Sequence, residues 1–154
     1  MSMDESSGGR GGGALSLIVN STAQSTLQLK GKIASNGIRG EDGFYGGGGG
    51  SGGSVFITCT PLEGPRSGVI SANGGRGGTG SLVDGNPGRG GRIAVLAKSM
   101  MNFHSSVHAF GGVSQTTAGV AGTLFFQVEE EVPDFLSVSR YLDRHAPPVS
   151  LDTY

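Results

Sequence analysis

The chain has 154 residues, 31 of them glycine, with 11 basic and 12 acidic side chains and a net charge of −1. That length makes one domain or a piece of a larger one, and the near-balance of charge argues against a nucleic acid or an anionic membrane surface held by bulk electrostatics. A single cysteine, Cys59, excludes an internal disulfide framework, and no apolar run approaches the roughly 18 residues that span a membrane as a helix.

Glycine is used about three times as often as in an average protein, although it loses more backbone entropy on folding than any other residue. Either the chain is disordered or a repeated geometry demands glycine at fixed places. A hydrophobic fraction of 35% without tryptophan predicts a thin core.

The chain opens with a polar, glycine-rich segment that is not a secretory signal; residues 1–8 are expected to be disordered. A repeat begins after it. When the last glycine before each apolar run is aligned (Gly13, Gly53, Gly91, Gly122), three apolar columns follow. They are Leu15, Val55, Ile93 and Leu124, then Leu17, Ile57, Val95 and Phe126, then Val19, Cys59, Ala97 and Val128. The columns between them mix freely. This is the period of a strand with one buried face, repeated four times. A second strand type precedes Asn36, Asn73 and Phe110, which are 37 residues apart and each followed by glycine, whereas the first strand recurs at intervals of 40, 38 and 31. Length variation therefore falls in loops, as stacked repeats permit. The best-preserved unit places strands at 54–60 and 68–73.

A six-residue strand cannot bury its apolar face alone. Parallel stacking on the next unit at about 4.8 Å pairs its backbone and builds aliphatic columns. Glycine is expected at the bends, supplying positive φ at tight corners and close approach between units. The fold expected is all-β: a parallel β-helix or β-solenoid of about 37-residue glycine-rich repeats over residues 9–128, with a short C-terminal helix or cap. An antiparallel β-sandwich with glycine-rich turns is the alternative. After Val128 the composition shifts. Phe135, Val138 and Leu142 fit a short amphipathic helix in residues 129–146, which serves as a cap or as a linker to a further domain; residues 147–154 read as tail. The first unit has no complete predecessor, which suggests a fragment of a longer protein.

The phrases GGGGGSGGSVFIT (46–58), GVISANGGRGG (68–78) and GRGGRIAVL (88–96) resemble the glycine-rich repeats of large surface proteins of protists and other eukaryotes. More distantly they resemble right-handed parallel β-helix proteins of the pectin-lyase-like class and filamentous adhesins. The likeness spans roughly residues 8–128 and rests on structural motifs, so it implies fold more than activity. It implies an extracellular or cell-surface setting, in which carbohydrate, other surface proteins and neighbouring repeats are the partners. In the third unit Phe110 stands where Asn36 and Asn73 stood, so an asparagine ladder is not expected to reach it.

Enzymes of that class carry acidic and basic residues on one exposed face. The candidates are Glu41, Asp42 and Asp84 with Arg39, Arg76 and Arg89. Stacked carboxylates at Asp42 and Asp84 would suit Ca²⁺ or a hydrolase pair, but Asp-Gly is ordinary turn chemistry, and the turn is the expectation. No catalytic, metal or cofactor residue is assigned. His104 and His108 on one strand lie about 13 Å apart, too far for one metal, and are expected to be exposed. Three RGG triplets (Arg10, Arg76, Arg89) invite RNA binding, yet they sit in a patterned repeat with no net positive charge. Cys59 occupies an inward column as a small hydrophobe. Asn20-Ser21-Thr22 is a glycosylation sequon, usable in a secretory compartment.

The expectation is a non-catalytic structural or adhesive segment. The alternatives are a polysaccharide lyase or glycoside hydrolase of the β-helix class and, more remotely, RGG-mediated nucleic-acid binding.

Overall fold

A computed structural model describes residues 6–19, 26–100 and 102–130. Eleven strands follow one another in them: β1 (Ala14–Ile18), β2 (Leu27–Gln28), β3 (Lys32–Ala34), β4 (Gly43–Tyr45), β5 (Ser54–Cys59), β6 (Leu62–Glu63), β7 (Val69–Ser71), β8 (Gly80–Val83), β9 (Arg92–Ser99), β10 (Ser106–His108) and β11 (Thr123–Glu130). They form four sheets, ordered β1-β5-β9-β11, β10-β7-β3, β2-β6 and β4-β8. Every pairing between these strands is parallel. The antiparallel sandwich is therefore not the fold. The one antiparallel bridge among the described residues is the isolated Val113–Ala118 pair.

The register of the large sheet is the one the apolar columns demand. Leu15 faces Val55, Val55 faces Ile93, and Leu124 faces Ile93; Leu17, Ile57, Val95 and Phe126 form the next row. Val55, Ile57, Cys59, Ile93, Val95 and Ala97 are buried, while Phe56 and Phe125 on the other face are exposed. A one-residue slip would reverse every one of these assignments, so the hydrophobic pattern itself pins the register. Ile70 and Val107 of the second sheet close the core from the far side, joined by Ala72 and Ala109. Each buried aliphatic side chain contributes about 1.5–3 kcal/mol. Two of the four sheets have no counterpart in the two-strand reading. One of them, β2-β6, brings Leu62 into the core, where Leu29, Met100 and Phe103 join it.

The glycine runs are not corners. Among the described residues no glycine has positive φ; Asn102 alone does. The runs are extended segments packed side by side in two layers. Runs 6–13, 46–53, 85–91 and 118–122 form one layer, and runs 36–43, 73–80 and 110–113 form the other, interleaved with the first. Run 46–53 shows the rule. Gly49 and Gly52 donate N–H bonds to Asn86 and Arg89 of the next run in their own layer, and Gly46 donates to Val83 at the end of β8, just before that run. Gly47, Gly50 and Gly53 donate to Glu41, Ile38 and Ser35 of the other layer. Gly48 and Ser51 point outward and are exposed. One outward residue in three is the periodicity of an extended threefold helix of the polyproline II kind, which has no internal hydrogen bonds and needs glycine wherever chains crowd together. A Cβ placed on Gly47, Gly50 or Gly53 would come closer than 3.0 Å to a backbone oxygen of the neighbouring run. Close approach, rather than turning, is what the glycines supply.

Ser7 already belongs to this lattice, since Glu41 N–H bonds its carbonyl and Ser7 N–H bonds the Glu41 carboxylate. An asparagine ladder stitches the second layer: Asn36 Oδ1 accepts from Asn73 N–H at 2.8 Å, and Asn73 Oδ1 accepts from Phe110 N–H at 2.9 Å. The ladder therefore reaches the third unit, because Phe110 need only donate. The first-strand interval from Gly91 to Gly122 is short because Ser114 and Thr117 tie a tight bend directly between runs 110–113 and 118–122. At the C-terminal end β11 runs through Glu130, where a helix or cap was expected from 129; the rest of that segment lies outside the described residues. No described helix is long and apolar enough to cross a membrane.

Candidate functional site

The excursions of the first two units end in a small sheet of β4 and β8, and the sequence candidates Asp42 and Asp84 flank it. Asp42 Oδ1 accepts from Thr79 N–H and from the Arg39 guanidinium, each at 2.5 Å. Asp84 Oδ1 accepts from the next amide along, Gly80 N–H, at 2.9 Å. The two carboxylates thus converge on consecutive peptide groups at the start of β8. Asp42 bridges two units, and Asp84 closes its own loop. The Thr79 N–H first, and then the Arg39 hydrogen bond, hold the Asp42 carboxyl below its usual range. A carboxyl kept ionised in this way accepts hydrogen bonds and is ill-suited to act as a general acid.

The other candidates lie elsewhere. Arg76 belongs to run 73–80 and Arg89 to run 85–91, in different layers, and both are exposed. Their flanking glycines, like those beside Arg10, serve the lattice, so the RGG spelling has a geometric origin. Asn20 lies outside the described residues. His104 is exposed, whereas His108 is half-buried and stacks on Phe110 with ring centroids 5.0 Å apart. Burial and, secondarily, the Lys32 charge lower its pKa. Its Nδ1 and the Ser71 Oγ on the paired strand are buried without a protein partner. His108, expected to be exposed, is therefore partly covered, and Ser71 opposite it on β7 is buried. Burial pushes the Cys59 thiol up to about 11, in keeping with its place in the core. No three His, Cys, Asp or Glu side chains gather into a metal-sized group among the described residues.

The exposed apolar cluster on the tip was not read from the sequence. Phe44, Tyr45, Leu82 and Val83 are each about half exposed, and the two rings meet edge to face at 5.1 Å. Beside them a shallow hollow is lined by Asp42, Gly43, Thr79, Gly80 and Ser81. Little in the sequence could have found it: the offset is 37 at Gly43–Gly80 but slips to 38 at Tyr45–Val83, and three- and four-residue strands are too short to show a period. No family model matches the chain, and no curated protein or solved structure is significantly similar to it.

Proposed function

We propose that the chain is a β-solenoid of about 37-residue repeats that acts as a stiff structural and adhesive segment of a larger cell-surface protein. The observation that carries this reading is the continuity of backbone hydrogen bonding from unit to unit, through the parallel strands on one side and the glycine layers on the other. Main-chain bonds with a repeating register resist bending without relying on a broad core, as in other quasi-one-dimensional repeats. The equal spacing of Asn36, Asn73 and Phe110, joined side chain to backbone, supports one repeat per circuit of the core.

The tip of β4 and β8 is the contact surface in this reading. Exposed aromatic rings beside carboxylate and hydroxyl groups suit carbohydrate, whose C–H faces pack on rings while its hydroxyls bond to the polar rim. Asp42 and Asp84 act as backbone ties, and no catalytic role is assigned to them. Retention on a panel of immobilised polysaccharides tests the proposal. The wild type is expected to be retained, and Phe44→Ala/Tyr45→Ala to lose retention with its circular dichroism unchanged. No retention of the wild type removes the adhesive role, and shortened polysaccharide products would overturn the non-catalytic one.

A further inference from the structure

Each strand of the large sheet is followed in the chain by a strand of the second sheet, β1 by β3, β5 by β7 and β9 by β10, except the last. The large sheet has four strands and the second has three, so among the described residues no strand faces β11 across the core. Nor does a described strand lie beside β11 on its outer edge. The consequence shows in the apolar columns. Ile57 and Val95 have no exposed surface, whereas Phe126, in the same column on β11, is only partly buried, as are Leu124 and Val128 on either side of it. The last layer of the core is thus half built, with an apolar face and an unpaired strand edge open together.

We infer that residues 135–142 of this same chain cover the inward face of β11. The occupant follows first from the interval within a unit. The inward residues of the second strand, Ile33, Ile70 and Val107, stand 20, 17 and 16 residues after Gly13, Gly53 and Gly91. The same interval counted from Gly122 falls on residues 138–142, which begin with Val138 and end with Leu142. The apolar residues here, Phe135, Val138 and Leu142, have the spacing of one helix face, not the alternation of a strand. Residues 131–154 contain no glycine, so they cannot enter a lattice whose inner positions admit no Cβ; they can meet β11 only through side chains. The dimensions agree. Leu124 to Val128 spans about 13 Å of strand, and Phe135 to Leu142 spans about 11 Å of helix. The five-residue step from Glu130 to Phe135 reaches about 16 Å when extended, more than the roughly 10 Å between packed layers. This cover is separate from the tip of β4 and β8 and does not depend on what the tip binds.

Amide hydrogen exchange on the full chain, at two protein concentrations, tests the inference. An isolated helix this short is unstable in water, so protection in residues 135–142 requires docking. In the wild type those amides are expected to be protected, equally at both concentrations. Phe135→Asp/Val138→Asp/Leu142→Asp is expected to lose that protection and to speed exchange in β11 while leaving β5 slow. Ser137→Asp/Arg140→Asp changes the net charge by the same three units on the opposite side of the helix and is expected to behave as the wild type. Fast exchange of 135–142 in the wild type would make the segment a free linker and overturn the inference. So would protection that rises with concentration, which assigns the cover to a second copy. A β11 indifferent to the triple variant, or equally sensitive to the control, would also overturn it. If circular dichroism shows the triple variant unfolded, Leu142→Ala takes its place with the same expectation of faster exchange confined to 135–142 and β11, and no change in either segment is equally fatal.

Discussion

Gly75→Ala separates the two jobs that glycine could do here. Gly75 N–H bonds the Gly50 carbonyl at 2.7 Å, its own carbonyl accepts from Gly88 N–H at 2.9 Å, and its φ is not positive. A Cβ would land closer than 3.0 Å to the Ile38 carbonyl group, which is backbone and cannot swing aside. Overpacking of this kind costs about 1–3 kcal/mol. Stretching two lateral hydrogen bonds adds about 0.5–1.5 kcal/mol each. Against this, alanine stiffens the unfolded chain and returns about 0.4–1 kcal/mol wherever its backbone conformation is tolerated. The net expectation is a loss of about 3 kcal/mol, which for a chain of this length lowers the melting temperature by roughly 6–12 °C. Gly13→Ala is the matched control, since its Cβ meets nothing, and it should gain about 0.4–1 kcal/mol. Urea and thermal unfolding followed by circular dichroism measure both. Destabilisation by both substitutions would mean that conformation, not crowding, selects glycine, and neutrality of Gly75→Ala would refute the lattice.

Three further outcomes are expected. Asn73→Ala removes the acceptor for Phe110 N–H and should cost about 1–3 kcal/mol, with faster exchange of the Phe110 amide; Asn73→Asp keeps the acceptor and should cost less. Ile57→Asp places a lone charge where no part of the side chain is exposed and should unfold the domain, a loss of more than about 4 kcal/mol, while Phe56→Ser on the outer face should cost about 1 kcal/mol. Stability should fall on acidification in two stages. The His108 pKa is lowered from 6.5, so the unfolded chain takes up its proton first and stability is lost as pH drops below about 6.5 and through the folded value. Asp42 is lowered from 3.8, so its contribution is present above that pH and is lost below it. His108→Gln should erase the upper stage in urea midpoints measured against pH, and a profile that stays flat from 7 to 5 in the wild type would contradict it.

The strand half of the molecule was legible because alternation and register are the same fact: Leu15, Val55, Ile93 and Leu124 must share a face if they share a phase. The 37-residue interval likewise exposed the Asn36–Asn73 contact. The glycine half was legible in spelling but not in meaning. Two glycines in every three residues recur through 46–53 and 73–78, yet glycine more often marks a turn. Only the distance from Gly75 to Ile38 of another unit tells crowding from turning. The tip escaped because β4 and β8 are too short for a period; Leu62 and Phe103 escaped because their strand or bridge is one or two residues long, and Met100 because it follows β9 outside any strand. Asp42 and Asp84 flank β4 and β8, and their convergence on Thr79 and Gly80 depends on a contact between units that no local pattern encodes.

Amide hydrogen exchange of the glycine runs, resolved residue by residue, tests the central claim most directly. In run 46–53 the amides of Gly46, Gly47, Gly49, Gly50, Gly52 and Gly53 donate to neighbouring runs, and those of Gly48 and Ser51 make none of these bonds. The account predicts protection with a period of three: two slow amides, then one fast, repeated along the run. Uniformly fast exchange would mean that the runs are loose connections, and uniform or alternating protection would mean an ordinary strand; either result would contradict the lattice.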